Sequence, residues 1–204
     1  MWSPPLAAQN GNRYGSSGQF ADPEGGPSPR WTLTWDMTVD PDPFINAVFG
    51  LTNNTNAYQT YTLSAQLLIA PAITPSSLIG GSMGGSLTDA NYDGLGGLAT
   101  VAASPLYAGM IDGAQALPIY PHSSSWSFIF AGETITIPSI NSGLPGPTIP
   151  GPAVLNSIGI EHRFTLSPGD SASFTSFFVA EVPEPASLSL LALGGLALLR
   201  RRSR

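Results

Sequence analysis

The stretch DANYDG places Asp89, Asn91 and Asp93 at alternate positions with Gly94 directly behind them. That is the opening of a calcium loop, in which oxygen ligands at positions 1, 3 and 5 converge because a glycine at position 6 allows the sharp turn. Position 12 of such a loop falls on Thr100, where strong sites carry a bidentate Glu. The residues therefore describe either a weak Ca²⁺ site, with a dissociation constant on the order of 0.1–1 mM, or an Asp-Gly turn whose Asp and Asn side chains bond their own backbone. No other cofactor is expected.

The remaining candidates for chemistry each carry a plainer reading. GGSMG at residues 80–84 has the letters of a nucleophile elbow around Ser82, a motif that needs a strand before the serine and a helix after it. Gly85, Ser86, Leu87 and Thr88 follow, a poor helix start, so a glycine-rich bend is the simpler expectation. His122 and His162 are the two imidazoles, and neither has the spacing of a metal pair. His162 shares a strand face with Ile158, Ile160 and Phe164, as a core or rim histidine does. Glu133 and Glu161 are candidates for a glycosidase pair, a role decided by their separation in space. Trp31 and Trp35 share a face, as sugar stacking requires, but Leu33 and Met37 between them point to core. Thr-x-Thr recurs at Thr32/Thr34, Thr60/Thr62 and Thr134/Thr136, which lines up hydroxyls as the wet face of a strand or, if regular enough, as an ice-matching array. No catalytic constellation emerges, and the chain reads as non-enzymatic.

Strands must position these residues. Trp31, Leu33, Trp35, Met37 and Val39 alternate with Thr32, Thr34, Asp36 and Thr38, a period of two that predicts a strand with one wet face. In FINAVFGLTN, Ile45, Ala47, Phe49 and Leu51 share a face; after the turn signal NNTN, Tyr61, Leu63, Ala65, Leu67 and Ile69 do the same. These two runs are expected to pair as a hairpin. Further strands are expected over 98–102, 108–111, 125–130 (Trp126, Phe128 and Phe130 inward), 134–137, 157–166 and 172–179. Residues 1–30 are polar, glycine-rich and unpatterned and read as a flexible leader, while 139–152 (SINSGLPGPTIPGP) reads as a long loop. No stretch before the tail shows a 3.6 period, and no fixed-period repeat is present. The expected fold is all-β: an antiparallel, jelly-roll-like β-sandwich over residues 31–180, followed by a single C-terminal apolar helix.

Composition agrees. The chain of 204 residues is 42% hydrophobic and 10% charged, with 23 Gly and 20 Pro, which suits short strands and tight turns rather than disorder. Its length is that of one ordinary domain. With no cysteine there is no disulfide framework, thiolate nucleophile or cysteine-ligated metal. Residues 1–180 hold three Arg against eleven acidic side chains, a balance that repels phosphate backbones, so no nucleic-acid partner is expected.

The chain closes on EVPEPASLSLLALGGLALLRRRSR from Glu181. Residues 186–199 carry no charge and as a helix would be about 21 Å long against roughly 30 Å of hydrocarbon, a short span that snorkelling arginines lengthen. The basic cluster Arg200, Arg201, Arg202 and Arg204 places that end in the cytoplasm and Glu181 and Glu184 outside. Pro183 and Pro185 keep the preceding backbone extended, a form that a protease reads easily.

The order Pro183-Glu184-Pro185, apolar run, arginine cluster resembles the PEP-CTERM sorting signal of bacteria that make extracellular polysaccharide. DPFINAVFGLTNNTNAYQTYTLSAQL, IGGSMGGSLTDANYDG and NSIGIEHRFTLSPGDSASFTSFFVAEVPEP also resemble the β-domain that recurs before such tails. The resemblance implies an exported envelope or extracellular-matrix protein, transiently anchored in the inner membrane with its N-terminal domain outside. An exosortase-type membrane protease or transpeptidase would process it near the Pro-Glu-Pro. Pro183, Glu184 and Pro185 would be recognition residues and Arg200, Arg201 and Arg202 the stop. Such tails are also labelled an ice-binding protein C-terminal domain. Export in this family needs an N-terminal signal, which MWSPPLAAQNGNRYGSSG does not display; either the true start lies further upstream, the favoured expectation, with Leu6, Ala7 and Ala8 as the remnant of a cleavage site, or the product is not exported. The alternative functions are an exopolysaccharide-binding or -degrading module and an ice-binding protein.

Overall fold

The computed structural model describes residues 7–8, 13–40, 42–121 and 123–183. Apart from one 3-10 turn at Pro23–Gly25, the regular structure there is strand. In chain order the strands are β1 (Ala7–Ala8), β2 (Tyr14–Ala21), β3 (Trp31–Asp40), β4 (Phe44–Asn53), β5 (Gln59–Leu68), β6 (Ser77–Thr88) and β7 (Gly97–Thr100). They continue with β8 (Tyr107–Ile111), β9 (Ala114–Ile119), β10 (Ser125–Ser127), β11 (Thr134–Ser142), β12 (Ile149–Gly151), β13 (Ser157–Leu166) and β14 (Ser171–Glu181). One sheet runs β1-β2-β3-β4-β14-β6-β11, with β12 also on β6; the other runs β10-β7-β13-β8-β9, with β5 along the free side of β13. The named pairings in both sheets are antiparallel. The all-β, antiparallel expectation is met.

Period-two patterning sorts the side chains. On β4, Ile45, Ala47, Phe49 and Leu51 are buried, and on β14 Ala172, Phe174, Phe178 and Ala180 are; β13 answers from the other sheet with Ile158, Ile160, Phe164 and Leu166. These belong to one apolar cluster shared by both sheets, so the fold is sandwich-like. Phe164 and Phe174 meet edge to face with ring centroids 4.9 Å apart, and Tyr107 Oη donates to the Phe177 carbonyl at 2.8 Å across the layers. Each large side chain buried in this way contributes roughly 1.5–3 kcal/mol.

The structure departs from the sequence reading at identifiable places. β4 and β5 do not form a hairpin: β4 pairs with β3 and β14, and β5 pairs with β13 in the opposite sheet. Asn53 explains the arch between them. Its buried side-chain amide donates to the carbonyls of Ala57, Leu166 and Ser167, while its Oδ1 accepts from the Thr55 amide and hydroxyl, which bends the chain across the layers. Residues 14–21, expected as part of a flexible leader, are a strand paired with β3 over its whole length. Small residues hide the pattern there: a Cβ on Gly18 would lie 2.5 Å from the Trp35 ring, and Ser16 Oγ accepts from Trp35 Nε1 at 3.1 Å, so this strand roofs a tryptophan.

GGSMG is neither a bend nor an elbow but the middle of β6, with Ser82 paired to Phe177 and Asn141. The glycines admit the facing layer, since a Cβ on Gly81 would lie 2.9 Å from Tyr107 Oη. The expected loop over 139–152 contains the end of β11 and all of β12. Phe130, expected inward, is exposed, because β10 stops at Ser127. The expected membrane helix over 186–199 lies outside the described residues, as does His122. Among the described residues no helix is long and apolar enough to cross a membrane.

Candidate functional site

The first ladder pairs of β14 join Ser171 to Thr52 on β4 and to Thr88 on β6. One residue further, the same register sets Asp170 between Asn53 and Asp89, and the Asn53 amide donates to the Asp170 carbonyl at 2.9 Å. Alternation turns all three side chains inward, where they are buried at 0%, 0% and 1% exposure for Asn53, Asp170 and Asp89. Residues opposite each other in an antiparallel pair have Cβ atoms about 4.5–5.5 Å apart. A polar row with two carboxylates thus closes one end of the core.

Asp89 Oδ2 accepts from the Gly94 amide at 2.9 Å and the Gly132 amide at 2.8 Å, which ties the 89–97 loop to the turn before β11. Burial pushes this carboxyl up, but the amides of Gly132, Gly94, Asp93 and Tyr92 outweigh it and hold the group below the usual carboxylate range. Asp89 Oδ1 is buried and has no hydrogen-bond partner. Asp170 is the opposite case. Its Oδ2 accepts from the Ser167 hydroxyl, its Oδ1 is buried without a partner, and burial followed by the charges of Asp89 and Asp93 pushes it up despite the Ser167 hydroxyl and the Ala90 amide.

The other calcium-loop residues are spent locally. Asn91 Oδ1 accepts from the Asp93 amide at 3.0 Å, and Asp93 Oδ1 accepts from the Leu95 amide at 2.8 Å. Asn91 Nδ2 donates to Asp93 Oδ2 at 3.0 Å and to the Pro168 carbonyl at 3.1 Å. These are the Asx-turn bonds of the alternative reading. Asp170 escaped notice because SPGD looks like an ordinary turn; only its pairing distance from Asp89 across the ladder would have flagged it.

The remaining sequence candidates disperse. His162 is fully buried against Phe174, Phe49 and Tyr107, with Nε2 2.7 Å from Ser176 Oγ and Nδ1 unpartnered. Burial holds its imidazole down at about 3, only partly countered by the Leu106 carbonyl, so the ring is neutral. Glu133 accepts from the Ile129 and Phe130 amides at the end of the first sheet. Glu161 sits mid-strand on the second sheet beside an outward hollow lined by Ser64, Gln66 and Met110, so the two acids do not face each other. Trp35 is core and Trp31 is half-buried against Phe20.

Two of the three Thr-x-Thr pairs gather instead, while Thr60 and Thr62 lie on β5 in the second sheet. On the outer face of the first sheet, register aligns Thr32, Thr52, Ser171, Thr88 and Thr134 in one row and Thr34, Gly50, Ser173, Ser86 and Thr136 in the next. Within the first row Thr52 and Ser171 hydroxyls lie 2.7 Å apart, and those of Thr88 and Thr134 lie 3.0 Å apart.

β14 ends on Glu181, and Pro183 is the last described residue. From that strand end onward, residues 181–203 match the family model of the PEP-CTERM protein-sorting motif. The chain carries a PEP-CTERM sorting motif. The motif marks the protein for export, for transient membrane anchoring through the tail, and for recognition by an exosortase, which is a membrane enzyme. Of the PEP-CTERM residues, Glu184, Pro185, Arg200, Arg201 and Arg202 lie outside the described residues. No curated protein and no solved structure matches the chain.

Proposed function

We propose that this PEP-CTERM protein is a non-enzymatic, sandwich-like component of the cell envelope or extracellular matrix whose own chemistry is that of an exosortase substrate. One observation carries the reading: the sorting motif begins on the last residue of β14, and the last buried side chains among the described residues, Val179 and Ala180, precede it. β14 is an interior strand, between β4 and β6, so a cut beyond Pro183 releases the tail and leaves every described core side chain in place. Intact mass of the protein from the native host's envelope and culture medium tests this. A species lacking the C-terminal segment is expected; a full-length protein confined to the cytosol would refute it.

A second reading, binding of exopolysaccharide, draws support from the hydroxyl rows on the outer face of the first sheet. Those rows offer paired donors and acceptors to a flat chain. Replacing Thr88 and Thr134 by Val would abolish co-sedimentation with the host's polysaccharide if that face binds it. Ice binding would use the same rows, and a thermal-hysteresis measurement on the same variants separates the two.

A further inference from the structure

We infer that Asp89 and Asp170 together form an oxygen-ligated divalent-cation site of the calcium type, held between the end of β6 and the start of β14. The β14–β6 ladder pairs Ser171 with Thr88, and continued by one residue past the strand ends it sets Asp170 opposite Asp89, both on the inward side. Asp89 and Asp170 are buried at 1% and 0% exposure, and Oδ1 of each is left without a hydrogen-bond partner. An unmet buried acceptor is costly, and two like charges placed opposite each other add to the cost.

Among the described residues no basic side chain answers them. The chain contains no lysine. Among the described arginines, Arg13 pairs with Asp40, Arg30 pairs with Asp22 and Glu24, and Arg163 reaches Ser104. The charges that act on Asp170 are those of Asp89 and Asp93, both negative. A hard divalent cation removes both defects together, because it takes the free oxygens as ligands and cancels the paired charge.

The site differs from the one the DANYDG pattern suggests. Asp93 and Asn91 have their side-chain oxygens occupied by the Leu95 amide, the Asn91 side-chain amide and the Asp93 amide. Asp170, distant in sequence, takes the place that the loop pattern gives to Asp93. Among the described residues no three acidic or histidine side chains converge on one point, so the protein contributes two charged ligands. The rest of a shell of about six to eight oxygens falls to backbone carbonyls and water, which sets the affinity in the weak range of extracellular modules, a dissociation constant of about 0.1–1 mM. This inference does not depend on the sorting reading.

The test uses the full chain in detergent micelles, stripped with EGTA and titrated with CaCl₂ at neutral pH, read by calorimetry and thermal unfolding. One Ca²⁺ per chain is expected, with Tm raised by about 5–10 °C at roughly 100 times the dissociation constant. Asp89→Asn and Asp170→Asn each weaken binding about tenfold or more, whereas Asp93→Asn changes it less than about threefold. In the wild type the carboxyl ¹³C resonances of Asp89 and Asp170 shift on calcium addition, which keeps the inference open to refutation if either Asn variant fails to fold. Absence of saturable binding to the wild type up to about 10 mM Ca²⁺ overturns it. So do unmoved carboxyl resonances, or binding that Asp93→Asn abolishes and Asp170→Asn leaves intact.

Discussion

Acid should destabilise this protein through a buried ring. His162 lies at 0% exposure among Phe49, Phe174 and Tyr107, and its folded pKa is held at about 3 by burial. Protonation would also make both ring nitrogens donors, and only Nε2 has a hydrogen-bond partner. In the unfolded chain the same ring titrates near 6.5. Between these values the unfolded state binds a proton that the folded state refuses, so stability falls as the pH drops from about 6.5 toward 3. Going from pH 7 to pH 4.5, the contribution of this one group is a loss of about 2–3 kcal/mol, equivalent to a Tm decrease of roughly 5–10 °C for a domain of this size. Urea unfolding of the wild type and of His162→Gln at both pH values isolates it, because the carboxylates and His122 are common to both proteins. The variant is less stable at pH 7 but should lose about 2–3 kcal/mol less on acidification. Equal losses in the two proteins, or an imidazolium signal from His162 in the folded protein at pH 5, would refute the reasoning.

Three further outcomes follow from packing and hydrogen bonding. Gly109→Ala places a Cβ 2.4 Å from the Phe178 ring, so overpacking should cost about 1–3 kcal/mol in the urea midpoint, and adding Phe178→Leu should recover part of it. Asn53→Ala strips the bonds that bridge the layers to Ala57, Leu166 and Ser167 and should destabilise by about 2–4 kcal/mol, read by thermal unfolding. Asp112 holds the amides of Leu155, Asn156 and Ser157; burial pushes its carboxyl up, yet those amides keep it below the ordinary range. Its stabilisation is present above the unfolded value and is lost as pH falls below about 4, so Asp112→Ala should flatten the pH dependence of Tm in that lower window, apart from the histidine's.

What could be read from residues alone was whatever depends on neighbours in the chain. Alternation in β3, β4, β13 and β14 exposed their buried faces, because a period of two is a local property of extended backbone. The tail was legible for the same reason, since Pro183, Glu184, Pro185, the apolar run and the arginines are contiguous, and the family match rests on that contiguous block. Tertiary structure decided the rest. β2 and β6 are rich in glycine and serine, which breaks up the alternation that Ile79, Met83 and Leu87 keep on β6, yet both are strands, because the absent side chains leave room for Trp35 and Tyr107 from neighbouring elements. The hairpin expected between β4 and β5 dissolved because Asn53 spends its side chain on the opposite layer, a choice invisible without the partners it bonds. Asp89 was legible as a carboxylate in a turn, but its pairing with Asp170 was not. Residues so far apart in sequence become neighbours only when β14 inserts between β4 and β6, and it is that insertion, made favourable by the buried faces of all three strands, that brings two carboxyl groups together inside the protein.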